Sequence, residues 1–368
     1  MKPEPKPGVL DITAYVGGRA SAPGATKVFK LSSNESPLGP SPAVAAALEE
    51  ACASLALYPE GSATLLREAI AEVYHINLAR IVTSGDGSDA LLTMLANAYL
   101  RPGDEVVFSE HAFLVYKIAT QANSAVPVMV PEKTTNQAIT VDVDAMLAAV
   151  TPKTRMVYLA NPNNPTGSCL NRDEMARLHA GLPAHVLLVI DAAYGEYVTA
   201  KDYDSGLELA AKYPNVVMTR TFSKLYGLAG LRIGWMYASA EICDVINRIR
   251  GPFNTALIQQ LAGAAGIRDR DHFWKAVEHN NKWLAWVTEE IRKTGLRVDD
   301  SCAHFVLIHF SVDGDKTAAK ADAFLMQGGI ILRSVARPWA PTKVLPRPSR
   351  RIWRRAPSCR MSVRSRAP

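Results

Sequence analysis

Five short apolar runs constrain the fold most: Ile81-Val-Thr, Glu105-Val-Val-Phe, Met156-Val-Tyr-Leu-Ala, His185-Val-Leu-Leu-Val-Ile and Val216-Val-Met-Thr. Helical segments alternate with them, beginning near Pro42 with Val44-Ala-Ala-Ala-Leu-Glu-Glu. A strand that is apolar at nearly every position is buried on both faces, and strands separated by helices pair in parallel. The pattern predicts an α/β fold with a mostly parallel central sheet sandwiched by helices. The runs at Met156, His185 and Val216 are evenly spaced, and each ends in polar, Gly- or Pro-rich sequence, where open α/β sheets place ligands. After about Ala265 a long helical stretch, Asp271 to Thr294, leads to Phe305-Val-Leu-Ile-His-Phe and Gly329-Ile-Ile-Leu-Arg. These last two read as strands of a smaller α+β domain that the N-terminal arm joins. The expected organisation is an arm over 1–40, a large domain over 41–265, a small domain over 266–336 and a tail over 337–368.

Composition narrows the class. Hydrophobic residues make up 48% and charged residues 21% of 368 positions, an ordinary balance for a soluble protein. No apolar run is long enough to span a bilayer, and the start lacks a signal-peptide core, so a cytoplasmic protein without membrane partners is expected. The five cysteines are scattered and lack CxxC spacing, which argues against a disulfide framework or a metal site. The formal charge of +6 is carried by the tail: Ser334–Pro368 holds nine Arg, one Lys and no acidic residue, leaving 31 basic against 35 acidic residues elsewhere. The body is thus mildly acidic, and a nucleic-acid partner is not expected despite the basic tail.

The chemistry concentrates behind three of the strands. In Thr219-Arg-Thr-Phe-Ser-Lys-Leu-Tyr-Gly-Leu-Ala-Gly-Leu-Arg-Ile-Gly234, Lys224 follows a strand end, flanked by Thr221 and Ser223, with Arg232 eight positions on. A lysine in partly apolar surroundings has a lowered pKa and acts as an amine nucleophile, while hydroxyls and an arginine suit a phosphate. A solvated loop lysine is the plain alternative. Ser84-Gly-Asp-Gly-Ser-Asp opens a helix after a strand, as either a phosphate-binding helix start or a simple cap. Asn161-Pro-Asn-Asn-Pro-Thr-Gly167 is either a rigid turn or a loop presenting the Asn164 amide. Asp191 ends an apolar strand, with Tyr194 three residues on; it is either a helix cap or a carboxylate paired with a cationic group such as a protonated pyridine.

These pieces, in this order, resemble the fold-type I pyridoxal-phosphate aminotransferases, and within them the histidinol-phosphate aminotransferase family. The resemblance rests on Asn34-Glu-Ser-Pro37, Tyr58-Pro-Glu60, Asn161–Gly167, Asp191–Tyr194 and Thr221–Gly234, and covers about residues 8 to 336. It implies pyridoxal 5'-phosphate as cofactor, with Lys224 as the lysine that links to it and later moves the substrate's α-proton. Asp191 would pair with the pyridinium nitrogen, and Asn164 and Tyr194 would bond the phenolic oxygen. Gly87, Ser88, Asp89, Thr221, Ser223 and Arg232 would surround the phosphate, and Phe113 would stack on the ring. Tyr58 would reach the phosphate of a neighbouring subunit, which implies a homodimer. Tyr15, Asn34 and Arg333 would face the substrate. The implied reaction is amino transfer from histidinol phosphate to 2-oxoglutarate in histidine biosynthesis. Aromatic-amino-acid transamination and phospho-amino-acid decarboxylation are alternatives on the same scaffold.

The chain departs from the family after Ala336. The family continues with a Gly-Leu-Pro turn, an arginine-bearing strand and a closing helix. Residues 337–368 instead carry six prolines, no acidic residue and no helical periodicity, so a packed helix is not expected there. This reads as a frameshift near Ala336: the codons for Trp339-Ala340, read one nucleotide later, begin with glycine. A cofactor-binding but inactive product is the corresponding alternative, and resequencing the gene tests it. His304 stands where the family has Asn, a difference expected to affect packing more than catalysis.

Overall fold

The computed structural model of the protein describes residues 3–135, 137–314 and 317–335. The expected tail over 337–368, with its frameshift, and the boundary at 336 lie outside the described residues.

The strands are β1 (Phe29–Lys30), β2 (Ile81–Ser84), β3 (Glu105–Ser109), β4 (Val126–Val130), β5 (Lys133–Thr134) and β6 (Ile139–Thr140). They continue with β7 (Thr154–Ala160), β8 (Leu187–Asp191), β9 (Val216–Thr221), β10 (Gly234–Tyr237) and β11 (Ile330–Ile331). The helices are α1 (Pro42–Cys52), α2 (Thr64–Tyr74), α3 (Gly87–Tyr99), α4 (Leu114–Ala122), α5 (Val143–Ala148) and α6 (Arg172–Ala180). After these come α7 (Leu207–Lys212), α8 (Ala240–Ile249), α9 (Leu257–Arg268), α10 (Arg270–Arg292) and α11 (Ala318–Gln327).

Seven strands form one sheet in the order β2-β10-β9-β8-β7-β3-β4. Every neighbouring pair from β9 to β4 is parallel, and β10 is antiparallel to both β2 and β9. The central strands are buried throughout, and their alternation splits the core in two. Leu188 and Ile190 join the cluster that includes Leu66, Met175 and Phe273, whereas Leu187 and Val189 join the one that includes Leu91, Leu95 and Tyr116. That period of two is the geometry of a pleated strand covered on both faces. Asp191, in phase with Leu187 and Val189, therefore projects toward the face that α3 and α4 cover.

Local signals set the helix ends. The Ser41 hydroxyl accepts the Ala43 N–H at the start of α1, where Pro42 occupies the first turn. Asn171 and Glu174 form a reciprocal capping box on α6. Strand β1 pairs in parallel with β11, placing part of the N-terminal arm against the C-terminal part.

Two expectations need correction. Phe305–Phe310 is not a strand; among the described residues only isolated bridges, Val298 to Ile308 and Ser311 to Thr317, occur around it. Its apolar residues pack locally without a neighbouring strand long enough to build a ladder. The cysteines also form a disulfide, Cys169–Cys302, across 133 residues with 6.2 Å between Cα atoms. Spacing could not show this pairing, because tertiary packing of the loop after β7 against residues 301–304 brings the two together.

A buried ion pair ties β9 to the turn after β8. Arg220 meets Glu196 at 2.9 Å, with both side chains almost wholly enclosed, and the Tyr74 hydroxyl accepts from Arg220 at 3.1 Å. Removing one partner of such a pair strands the other charge. Glu196→Gln should cost about 3–5 kcal/mol in urea unfolding, while a double replacement of both residues by Met should cost less; a Glu196→Gln loss below that of the double variant would contradict this account.

Candidate active site

All strands of the central sheet except β10 end at one edge, and the loops there enclose a cavity of about 710 Å³. Its walls include Tyr15, Asn34, Ser88, Asp89, Phe113, Asn164, Asp191, Tyr194, Thr221, Ser223, Lys224, Arg232 and Arg333. The structure therefore brings together every singled-out residue except Gly87 and Tyr58. Gly87 opens α3 beside Arg232, just behind the wall. Tyr58 is 83% exposed, stacks on Phe253 at 4.7 Å and is not part of the cavity wall.

One end of the cavity is built for an anion. The first turn of α3 presents Ser88, and the Gly87 N–H donates to the Arg232 carbonyl at 2.8 Å. Arg232 adopts a left-handed φ of 54°, and its guanidinium donates to Ser223 Oγ and Asp89 Oδ2, both at 3.2 Å. A Cβ on Gly87 would come within 2.6 Å of that guanidinium. On Gly234 a Cβ would meet the Gly87 carbonyl carbon and the Ser88 nitrogen at 2.4 Å. These two glycines thus let β10, Arg232 and the helix start close together. A helix start, the hydroxyls of Ser88, Thr221 and Ser223 and an arginine are the kinds of group that suit a phosphate.

Lys224 stands three residues beyond β9, with Nζ 5.6 Å from the centre of the Tyr194 ring. Desolvation lowers its pKa and nearby Arg232 acts in the same direction, against the carboxylates of Asp89, Asp191 and Glu35. Asp191 is buried, and burial pushes its carboxyl up to about 6 despite hydrogen bonds from Tyr116, Ala193 and Thr219. Asp89 is also raised, first by desolvation, against the pull of Arg232 and Lys224. Asn34, itself at a left-handed φ of 54°, donates to the Tyr194 hydroxyl at 3.2 Å.

The Asn-Pro loop is fixed from within. Asn161 accepts the Leu170 N–H at 2.8 Å, and Asn163 donates to the His111 carbonyl at 2.7 Å and to Thr166 at 2.9 Å. Tyr203 donates to the Asn161 carbonyl at 2.7 Å. Asn161 and Asn163 therefore hold the loop, leaving Asn164 on the cavity wall. Sequence reasoning singled out Asn164 and missed these two supports; the repeated Asn was the available signal.

It also missed Tyr116, which lines the cavity and donates to Asp191 at 2.8 Å. Its position three residues after Phe113 on α4 was the one clue. His304 packs between two tyrosine rings. Its ring lies 5.5 Å from Tyr194 and 4.8 Å from Tyr197, and burial lowers its pKa to about 4, keeping it neutral.

A pH dependence follows from Asp191. Its folded pKa lies above the unfolded value, so the folded state holds the proton more tightly and stability falls as pH rises from about 4 to about 6. Asp191→Asn removes that ionisation. In the cofactor-free protein it should raise stability above pH 6 by up to about 3 kcal/mol, with the difference fading near pH 4; thermal melts across this range would check it.

The family description "Aminotransferase class I and II" matches residues 26–347. Histidinol-phosphate aminotransferase of Rhodopseudomonas palustris strain TIE-1 is 53% identical over 336 residues, covering 91% of this chain and 90% of that protein. The same enzyme of strain HaA2 is 52% identical over 335 residues, with the same coverage. Among solved structures, histidinol-phosphate aminotransferase from Sinorhizobium meliloti in complex with pyridoxal-5'-phosphate superposes with a TM-score of 0.79 at 27% identity, over 90% of this chain and 89% of that one. An aromatic aminotransferase from Pyrococcus horikoshii shares the fold, with a TM-score of 0.68 at 23% identity, over 77% and 80%. With the sheet order, the cavity and this match across most of its length, the chain belongs to the class I and II aminotransferases.

Proposed function

We propose that the protein is a pyridoxal-phosphate-dependent aminotransferase that moves the amino group of histidinol phosphate to 2-oxoglutarate, within histidine biosynthesis. The observation that carries this reading is the meeting of a desolvated amine, a buried carboxylate and a phosphate cradle in one cavity. The residues fit the cofactor. Ser88, Thr221, Ser223, Arg232 and the first N–H groups of α3, freed by Gly87, would hold its phosphate, with Asp89 fixing Arg232. Asp191 would face the pyridine nitrogen, Asn164 and Tyr194 the phenolic oxygen, and Phe113 the ring face.

When bound, pyridoxal phosphate supplies a carbonyl carbon for the amine and a cationic ring that takes up electrons released at the substrate's α-carbon. Lys224, whose pKa desolvation lowers, would act as the amine and then as the base and acid at that carbon. Asp191 as a carboxylate would keep a proton on the ring nitrogen it would face. Tyr194, held by Asn34 and backed by His304, is fixed as a hydrogen-bonding group. Arg333 lies at the mouth over the Tyr15 ring, 5.9 Å from its centre, with its guanidinium donating to the Val16 carbonyl at 3.1 Å. That cation supports binding of a substrate phosphate. The 53% identity to a histidinol-phosphate aminotransferase supports this substrate over aromatic amino acids or decarboxylation.

The proposal extends to a homodimer and a cytoplasmic site of action. Tyr58, Leu55, Leu57 and Phe253 are exposed apolar side chains on one region of the surface, with Tyr58 outside the cavity of its own chain. We propose that Tyr58 reaches the cradle of a second copy. The division into arm, large and small domains belongs to the same reading, with β1 and β11 as its link.

Two experiments test this. Purified protein given 2-oxoglutarate with histidinol phosphate or phenylalanine should turn over the former, and Lys224→Arg should lower that rate by about 10²–10⁴-fold; equal or greater turnover of phenylalanine would overturn the substrate reading. Sedimentation should give twice the 39.9 kDa chain mass, and Tyr58→Ala should weaken cofactor retention, whereas a monomer of full activity would exclude the shared site.

A further inference from the structure

We propose that Tyr116 is a positioning residue that holds Asp191 ionised and aimed into the cavity, and so sets how firmly the cofactor's ring nitrogen is held. This rests on the placement of Asp191 proposed above.

The observation is geometric. Tyr116 has no exposed surface, and its hydroxyl donates to Asp191 Oδ2 at 2.8 Å. Its ring is boxed on three sides. Tyr158 stacks on it at 4.6 Å with planes 6° apart, while Phe113 and Phe108 meet it edge-on at 6.0 and 6.1 Å. Tyr158 is fixed in turn by donating to the Leu92 carbonyl of α3 at 2.9 Å. The Tyr116 hydroxyl therefore has one direction available, toward the carboxylate. The other oxygen, Oδ1, accepts from the Ala193 N–H at 3.2 Å and more distantly from Thr219 at 3.5 Å. Of the three donors, Tyr116 is the shortest and the only one on Oδ2.

The arrangement also couples two contacts to the ring. Phe113 caps α4 and Tyr116 lies one turn on, so the stacking side chain and the donor to Asp191 move as one rigid unit.

The surroundings explain why a donor is needed. Asp191 faces Asp89 from α3 and Lys224 beyond β9, with Tyr158, Tyr194 and Tyr203 around it. Burial and Asp89 both favour the protonated acid; the hydrogen bond from Tyr116 opposes them. Burial and the adjacent carboxylate push the pKa of Tyr116 itself well above its ordinary value, so it remains a donor throughout the working range.

Tyr116→Phe removes the hydroxyl and keeps the stacked ring. It should raise the pKa of Asp191 further, so the fall in stability between pH 4 and 6 continues to higher pH. In cofactor-free protein, the melting-temperature difference from wild type should therefore grow between pH 5 and pH 8. Equilibrium dialysis should show cofactor affinity weakened about 10- to 100-fold at pH 7, with the deficit shrinking at pH 8.5. A melting difference constant with pH, together with unchanged affinity, would show that Tyr116 is packing alone and overturn the proposal. Asp191→Asn is measured beside it. If that variant weakens cofactor binding while Tyr116→Phe does not, only the role of Tyr116 falls; if Asp191→Asn binds as wild type, the placement of Asp191 falls and this inference with it.

Discussion

A carboxylate at the end of the middle strand of a buried sheet is costly unless other groups hold it, and Asp191 is that carboxylate. Its neighbours are arranged accordingly. Tyr116 approaches from α4, Ala193 from the following turn and Thr219 from the adjacent strand, with Lys224 supplying opposite charge. None of these groups is near Asp191 in sequence except Ala193. The sheet order β9-β8-β7-β3 brings them together, so the site depends on correct parallel pairing before any of its chemistry exists.

The two core layers serve that end. Residues of β8 alternate between the faces, and the phase of the alternation decides that Asp191 points toward α3 and α4. A slip of one residue would turn it to the opposite face. The cradle has a similar dependence on backbone contact. The bare Cα of Gly234 lets β10 press against the start of α3, and the left-handed turn at Arg232 brings its side chain back over Gly87.

Much of the site was legible because each motif sits immediately after a strand. Lys224, Asp191, Asn164 and the Gly87–Asp89 turn could be placed from the apolar runs before them, and all but Gly87, which lies just behind the wall, reach the cavity. The supports were harder to read. Tyr116 looked like one aromatic on a helix, and Glu196 and Arg220 like two unrelated charges, until packing made them a 2.9 Å pair. The cysteines illustrate the same limit, since Cys169 and Cys302 are brought together across 133 residues by a contact that no local pattern encodes. Phe305–Phe310 erred the other way: apolar content suggested a strand where no partner strand lies alongside.

By itself the sequence determined the parallel α/β sheet and the edge at which the chemistry gathers. Apolar period, glycine positions and the residues after each strand are local properties. It also determined which amine, carboxylate, hydroxyl and guanidinium groups follow those strands. Tertiary structure alone decided their electrostatic state. Burial raises Asp191 and lowers Lys224, and only distant elements supply the desolvation and partners that do so. It decided, too, that Tyr116 lines the cavity and meets Asp191, because that depends on where α4 comes to rest against β8, not on the residues beside it.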